Sequence, residues 1–197
     1  MISSLLFALA ISESSQPQVV FPDYVLRKSE WGGKPALPGG KEHTISRITI
    51  HHGGVATNRK RSLEDKLRGL QSWSQREDKL ASGKTKPAWV DIPYHLYISF
   101  DGRIGEARPW NIAGDTNTEY NPTGHLLIML EGNFEVEKVT QEQWESVKKL
   151  TVWASRTFNV SWDKVEGHDD HSAQTTCPGR DMKNLLPRLR SHVRRES

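Results

Sequence analysis

The sequence predicts a single α/β domain, a central mixed β-sheet flanked by helices. Three observations predict it. Apolar residues alternate with period two in some stretches and recur at helical spacing in others, and the two kinds of stretch interleave along the chain. A length of 197 residues suits one domain with a sizeable core. A single cysteine excludes an intrachain disulfide, so stability must rest on that core rather than on a covalent framework.

Residues 1–12, MISSLLFALAIS, are apolar from Leu5 to Ile11 and end in a small-x-small pattern at Ala10 and Ser12. This predicts a signal peptide, too short to span a bilayer, and export to the periplasm or beyond. A cytoplasmic place follows if the segment is not a signal. Residues 13–23 read as a linker and 24–197 as the domain. Ser29, Glu30 and Trp31 suggest a short helical turn broken by Gly32, Gly33 and Pro35. Ile45 to His51 is a strand with Arg47, Thr49 and His51 on one face and Ile48, Ile50 and His52 on the other. Ser62 caps a helix whose stripe is Leu63, Leu67, Leu70 and Trp73. Gln75 to Pro87 is polar and reads as a solvent loop. Asp101-Gly102 marks a hairpin between two strands.

Trp110 to Thr123, rich in Asn, Thr and Gly, reads as an irregular wall of a cleft. His125 to Leu130 is nearly continuously apolar, hence a strand buried on both faces. Thr140 and Gln143 form a capping box, followed by a stripe of Trp144, Val147, Thr151 and Ala154. A last helix starts near Arg180, with Pro187 expected to kink or stop it. That segment is basic, with Arg180, Lys183, Arg188, Arg190, Arg194 and Arg195 against Asp181 and Glu196. Such a face meets solvent or an anionic envelope, and the sequence carries no nucleic-acid motif.

The stretch GHDDHSAQTTCPG, residues 167–179, concentrates soft donors: His168, His171 and Cys177. Imidazole nitrogen and thiolate sulfur are zinc ligands, and a hydrolytic zinc keeps three protein ligands with one open position. The stretch supplies two, so a third must come from elsewhere. His51 and His52 are the candidates, and strand alternation lets only one of them face this loop.

Several segments together resemble the zinc amidase family of bacterial and phage N-acetylmuramoyl-L-alanine amidases and animal peptidoglycan recognition proteins. They are SEWGGKP at 29–35, ITIHHG at 48–53, DIPYHLYISFDGRIGEAR at 91–108, WNIAGDTNTEYN at 110–121, Glu131-Gly132-Asn133-Phe134, and GHDD with TTCPG. They occur in the family's order and cover roughly residues 27–186. The resemblance implies zinc held by His51, His168 and Cys177 in a cleft on one side of the sheet. It implies that Tyr94 lies beside the bound water or scissile carbonyl, and that Thr175 helps to bind the developing oxyanion.

Arg108, Trp110 and Asn111 are then candidate contacts for a muramyl peptide, and Asp170 either orients a ligand imidazole or caps its turn. The spacing of nine from His168 to Cys177 is one longer than in some relatives, which leaves His171 a competing ligand or a neighbour of the ligands. The expected activity is hydrolysis of the amide between N-acetylmuramic acid and L-alanine. The rivals are a non-catalytic peptidoglycan binder of the same fold and a zinc peptidase acting on the stem peptide. The expected partner is peptidoglycan or its muropeptides, without nucleic acid, and the expected state is a monomer with no transmembrane segment.

Overall fold

The computed structural model describes residues 19–80 and 83–197. The signal-like segment and most of the linker lie outside them. In chain order the elements are β1 (Val25–Leu26), β2 (Arg47–His52), α1 (Leu63–Ser74), β3 (Asp78–Lys79), β4 (Thr85–Lys86), β5 (Leu96–Ile98), β6 (Ile104–Glu106), β7 (His125–Leu130), α2 (Gln141–Phe158), β8 (Val165–Gly167) and α3 (Arg180–Glu196). Six strands form one sheet in the order β1-β6-β5-β7-β2-β8. Only β5 and β6 pair antiparallel, as their tight Asp101-Gly102 turn requires, so the sheet is mixed.

β7 is buried at all six positions. The reason is that helices cover both faces. Ile48, Ile50, Leu126 and Ile128 pack against Val147, Leu150 and Ala154 of α2 and Met182, Leu186, Leu189 and Val193 of α3. The opposite face carries Tyr97 and Met129 against Leu63 and Leu67 of α1. Helices α1 and α2 begin as the sequence predicts. Ser62 Oγ accepts from Asp65 N, and Thr140 and Gln143 close a reciprocal capping box.

Four expectations are corrected. Gln75 to Pro87 is not a plain solvent loop: β3 and β4 form an antiparallel hairpin, and Lys86 is wholly buried. Its Nζ donates to the carbonyls of Ser74, Arg76 and Pro87, which pins the hairpin to the end of α1. Pro187 lies inside α3 without ending it, because the buried stripe on either side of the proline holds the helix to the sheet. Packing begins before residue 24, since Phe21 is buried and lies 5.1 Å from the Trp153 ring. In α1 the stripe is mixed: Leu70 and Trp73 are half-buried, whereas Lys66 and Gln71 are buried. No helix among the described residues is long and apolar enough to cross a membrane.

Candidate metal centre

Parallel pairing sets the first two donors side by side. Ile48, Thr49 and Ile50 of β2 pair with Val165, Glu166 and Gly167 of β8. The next residues in that register are His51 and His168, and their ring centroids stand 4.6 Å apart. Both leave the sheet at the carboxyl ends of parallel strands, the usual place for sites in such sheets.

Cys177 arrives by a return loop. Asp169 N donates to the Cys177 carbonyl at 2.7 Å, tying the two ligand-bearing turns together. Gly179 then turns the chain into α3 with φ of +83°, and a Cβ there would lie 2.7 Å from His52 Nδ1 and from the Phe134 backbone. Only glycine lets the loop approach β2 this closely.

One donor atom each from His51, His168 and Cys177 lies within 4.8 Å of the others, and all three residues are buried. Cys177 Sγ is 3.6 Å from His51 Nδ1 and accepts from His52 N at 3.3 Å. His51 Nε2 is buried without a hydrogen-bond partner.

Burial holds the His51 pKa well below the ordinary histidine value, and the neighbouring imidazoles push the same way. Burial likewise takes His168 down to about 4, so both rings stay neutral and keep a lone pair to give. Burial pushes the Cys177 thiol up to about 12, so a cation must displace its proton. Two neutral imidazoles and one thiol, desolvated and converging, fit a tetrahedral zinc with an open fourth position.

The remaining predicted residues divide. Tyr94 lines the same cavity of about 230 Å³, its ring 5.1 Å from that of His51. The ring is partly exposed, yet its surroundings desolvate it enough to raise its pKa well above the ordinary phenol value. Thr175 also lines this cavity, and its Oγ1 accepts from Cys177 N at 3.1 Å. His52 faces the other way, where Nδ1 accepts from Phe134 N at 3.2 Å.

His171 is not in the cluster. It stacks on Tyr120, and its Nε2 is 3.2 Å from Glu166 Oε2 but out of hydrogen-bond alignment. Asp170 caps its turn, Oδ2 accepting from Gly167 N at 2.9 Å and from Arg190 at 3.2 Å, and orients no ligand ring.

Arg108, Trp110 and Asn111 do not reach the cleft. Arg108 is wholly buried and its guanidinium donates to the carbonyls of Asp91, Ile92 and Ala113 and to Asp115. Trp110 packs against the α2 side of the core near Phe158. The Asn111 carbonyl accepts from His43 N.

Sequence reasoning missed Thr118, whose hydroxyl lies 2.9 Å from His168 Nε2. A second hydroxyl, Thr116 Oγ1, accepts from Thr118 N and stands 2.8 Å from its Oγ1. The irregular segment therefore forms a cleft wall, as expected, and also holds a candidate ligand ring. A second cavity of about 510 Å³ adjoins the donors and shares Gly53, Trp89, Pro93, Tyr94 and Asn117 with the smaller one. The three donors converge on the smaller cavity, and the larger opens beside it. On its lining Glu131 is a fully partnered carboxylate, accepting from Lys66 Nζ at 2.8 Å and from Ser99, Phe100 and Asn58.

Known proteins share this arrangement of elements. Peptidoglycan-recognition protein SC2 of Drosophila melanogaster is 30% identical over 172 residues, 86% of this chain and 88% of the relative. The solved structure of tracheal cytotoxin bound to the ectodomain complex of peptidoglycan recognition proteins LCa and LCx matches with a TM-score of 0.66 and 26% identity. That match covers 82% of this chain and 93% of that one. The endolysin N-acetylmuramoyl-L-alanine amidase LysCS from Clostridium intestinale URNW matches with a TM-score of 0.58 and 25% identity, over 84% and 94% of the two chains.

A family model described as N-acetylmuramoyl-L-alanine amidase matches residues 41–180, which takes in all three donors and Tyr94. The chain belongs to that amidase family.

Proposed function

We propose that the protein is a zinc-dependent amidase that hydrolyses the bond between N-acetylmuramic acid and the L-alanine of the peptidoglycan stem peptide. The observation that carries the reading is the convergence of His51, His168 and Cys177 within 4.8 Å at the floor of an open cleft. These three residues hold the ion, which when bound supplies Lewis-acid polarisation of the carbonyl and acidifies water.

The chain's own groups do the rest. Thr118 fixes the His168 ring through Nε2, the office that an outer partner performs for a ligating imidazole. Tyr94, kept protonated by desolvation, donates to the oxygen on which negative charge develops. Thr175 accepts from Cys177 N, which leaves its hydroxyl hydrogen free to donate toward the same oxygen. The adjoining cavity, with Trp89 and Asn117 at its junction with the donors, takes the stem peptide. A substrate that lies in cell walls places the enzyme outside the cytoplasm, in keeping with the apolar opening segment.

A second reading is recognition without cleavage. It is favoured by the names of the relatives, among them the recognition proteins of fly and mouse. Mass analysis of purified muropeptides after incubation with the zinc-loaded protein separates the readings. Intact stem peptide with a free L-alanine amine is the expected product. Unchanged muropeptides would make the protein a binder, and shortened stems a peptidase. In parallel, His168→Ala is expected to lose stoichiometric zinc, and a full complement in that variant would overturn the ligand assignment.

A further inference from the structure

A third cavity, of about 350 Å³, lies on the outer surface of α2 and α3. It is lined by Trp144 and Lys148 from α2 and by Pro187, Arg188, Ser191, His192 and Arg195 from α3, with no acidic residue among them. The spacings 144/148, 188/192 and 187/191 are those of single helix faces, so the cations form a ridge along the groove between the helices.

Lys148 is held 2.8 Å from Glu145, which lies outside the lining. Arg188 and Arg195 have no carboxylate partner among the described residues, although most other arginines do. Trp144 forms an apolar floor, with Lys148 Nζ 5.7 Å and Arg188 Cζ 5.5 Å from its ring centroid.

We propose that this groove binds a phosphodiester polymer of the alditol-phosphate kind, retaining the protein on an anionic wall while the cleft works on peptidoglycan. The reading rests on the amidase assignment for its setting. Three features select the ligand. Two unpaired guanidinium groups chelate phosphate oxygens in a fork that carbonyls and hydroxyls do not match. Cations spaced along a helix meet repeating charges of a flexible chain rather than one compact anion. Trp144 is the one aromatic ring on the lining and already has Lys148 and Arg188 beside it, whereas grooves for single strands stack successive bases on several rings.

The groove also lies on the opposite side of the sheet from the candidate active site. α2 and α3 pack on Ile48 and Ile50, whereas Met129 and Tyr94 belong to the α1 side, and His51 pairs with Met129 in register. A polymer in the groove therefore leaves the cleft open.

The test uses the full chain and fluorescently labelled, lipid-free poly(glycerol phosphate), followed by anisotropy across a salt series. Binding is expected, weakening steeply with salt as counterion release requires. The double variant Arg188→Glu with Arg195→Glu is expected to bind about tenfold more weakly or worse. Both side chains are exposed, so its melting temperature stays at the parent value. Absence of binding by the parent protein, or binding unchanged in the double variant, overturns the proposal. So does equal, variant-sensitive binding of an oligothymidylate. Stem-peptide release from soluble muropeptides, measured on the same samples, is expected to be unaffected by the double variant. Polymer binding without any cleavage sinks the amidase reading and leaves the groove supported.

Discussion

Tyr94 lines the same cavity as the three candidate metal ligands, and desolvation holds its proton more firmly than in an ordinary phenol. A neutral donor of this sort matters in the transition state and little in the ground state. Tyr94→Phe is therefore expected to retain stoichiometric zinc and lose about 10²- to 10³-fold in turnover. Metal analysis with a muropeptide rate checks it, and unchanged turnover in the zinc-replete variant removes the role. Donor chemistry marked the stretch with His168, His171 and Cys177, strand periodicity let only one of His51 and His52 face it, and the family resemblance chose His51, His168 and Cys177. The rest was hidden for physical reasons. Thr118 was invisible because a threonine hydroxyl has many uses and its partner lies fifty residues away. The burial of Arg108 depends on carbonyls at 91, 92 and 113 that only the folded chain brings together.

Among the elements, the β3–β4 hairpin depends most on one side chain. Lys86 satisfies the carbonyls of Ser74 at the end of α1, of Arg76 just beyond it and of its own neighbour Pro87, and burial lowers its pKa, so its charge is held by those oxygens and by the faces of Trp73 and Trp89. Lys86→Met keeps the stem and deletes the donors. It is expected to cost about 1–3 kcal/mol and to release amide protection in the paired strands β3 and β4, read by hydrogen exchange. Protection equal to that of the parent would show that the hairpin stands without the lysine. A polar run with several Lys and Arg reads as solvent-exposed because that is where such runs usually lie, and one buried lysine has no local signature. Pro187 misled in the opposite sense. Local chemistry argues for a kink or a stop, and four buried apolar residues on α3 carry the helix past the proline, so the stop does not occur. The Ser62 cap, the Thr140–Gln143 capping box and the Asp101-Gly102 turn, whose partners are all within a few residues, were read correctly from sequence.

Across the whole molecule, buried histidines set an acid limit to stability. His95 is wholly buried in one tautomer, Nδ1 accepting from Leu127 N and Nε2–H donating to the Ile112 carbonyl, and burial takes its pKa down to about 3. His125 is also taken down to about 3, chiefly by burial, and His43 is lowered. An unfolded chain titrates these rings near the ordinary value of about 6.5. Their contribution is thus complete above about pH 6.5 and is lost as pH falls toward 3, because only the unfolded state takes up the proton. At pH 5 the loss is about 2 kcal/mol for His95 alone. Urea midpoints of the metal-free protein at pH 7.5 and 5 check this, and equal midpoints would contradict it.

The two faces of the sheet also divide their duties. The α2–α3 face carries most of the apolar packing, whereas the polar donors gather on the other side and at the strand ends. Cys177 belongs to neither apolar cluster. On the proposed reading, the groups that would hold a metal are thus largely separate from those that hold the fold, so the cleft can outlast the loss of the metal-binding thiol.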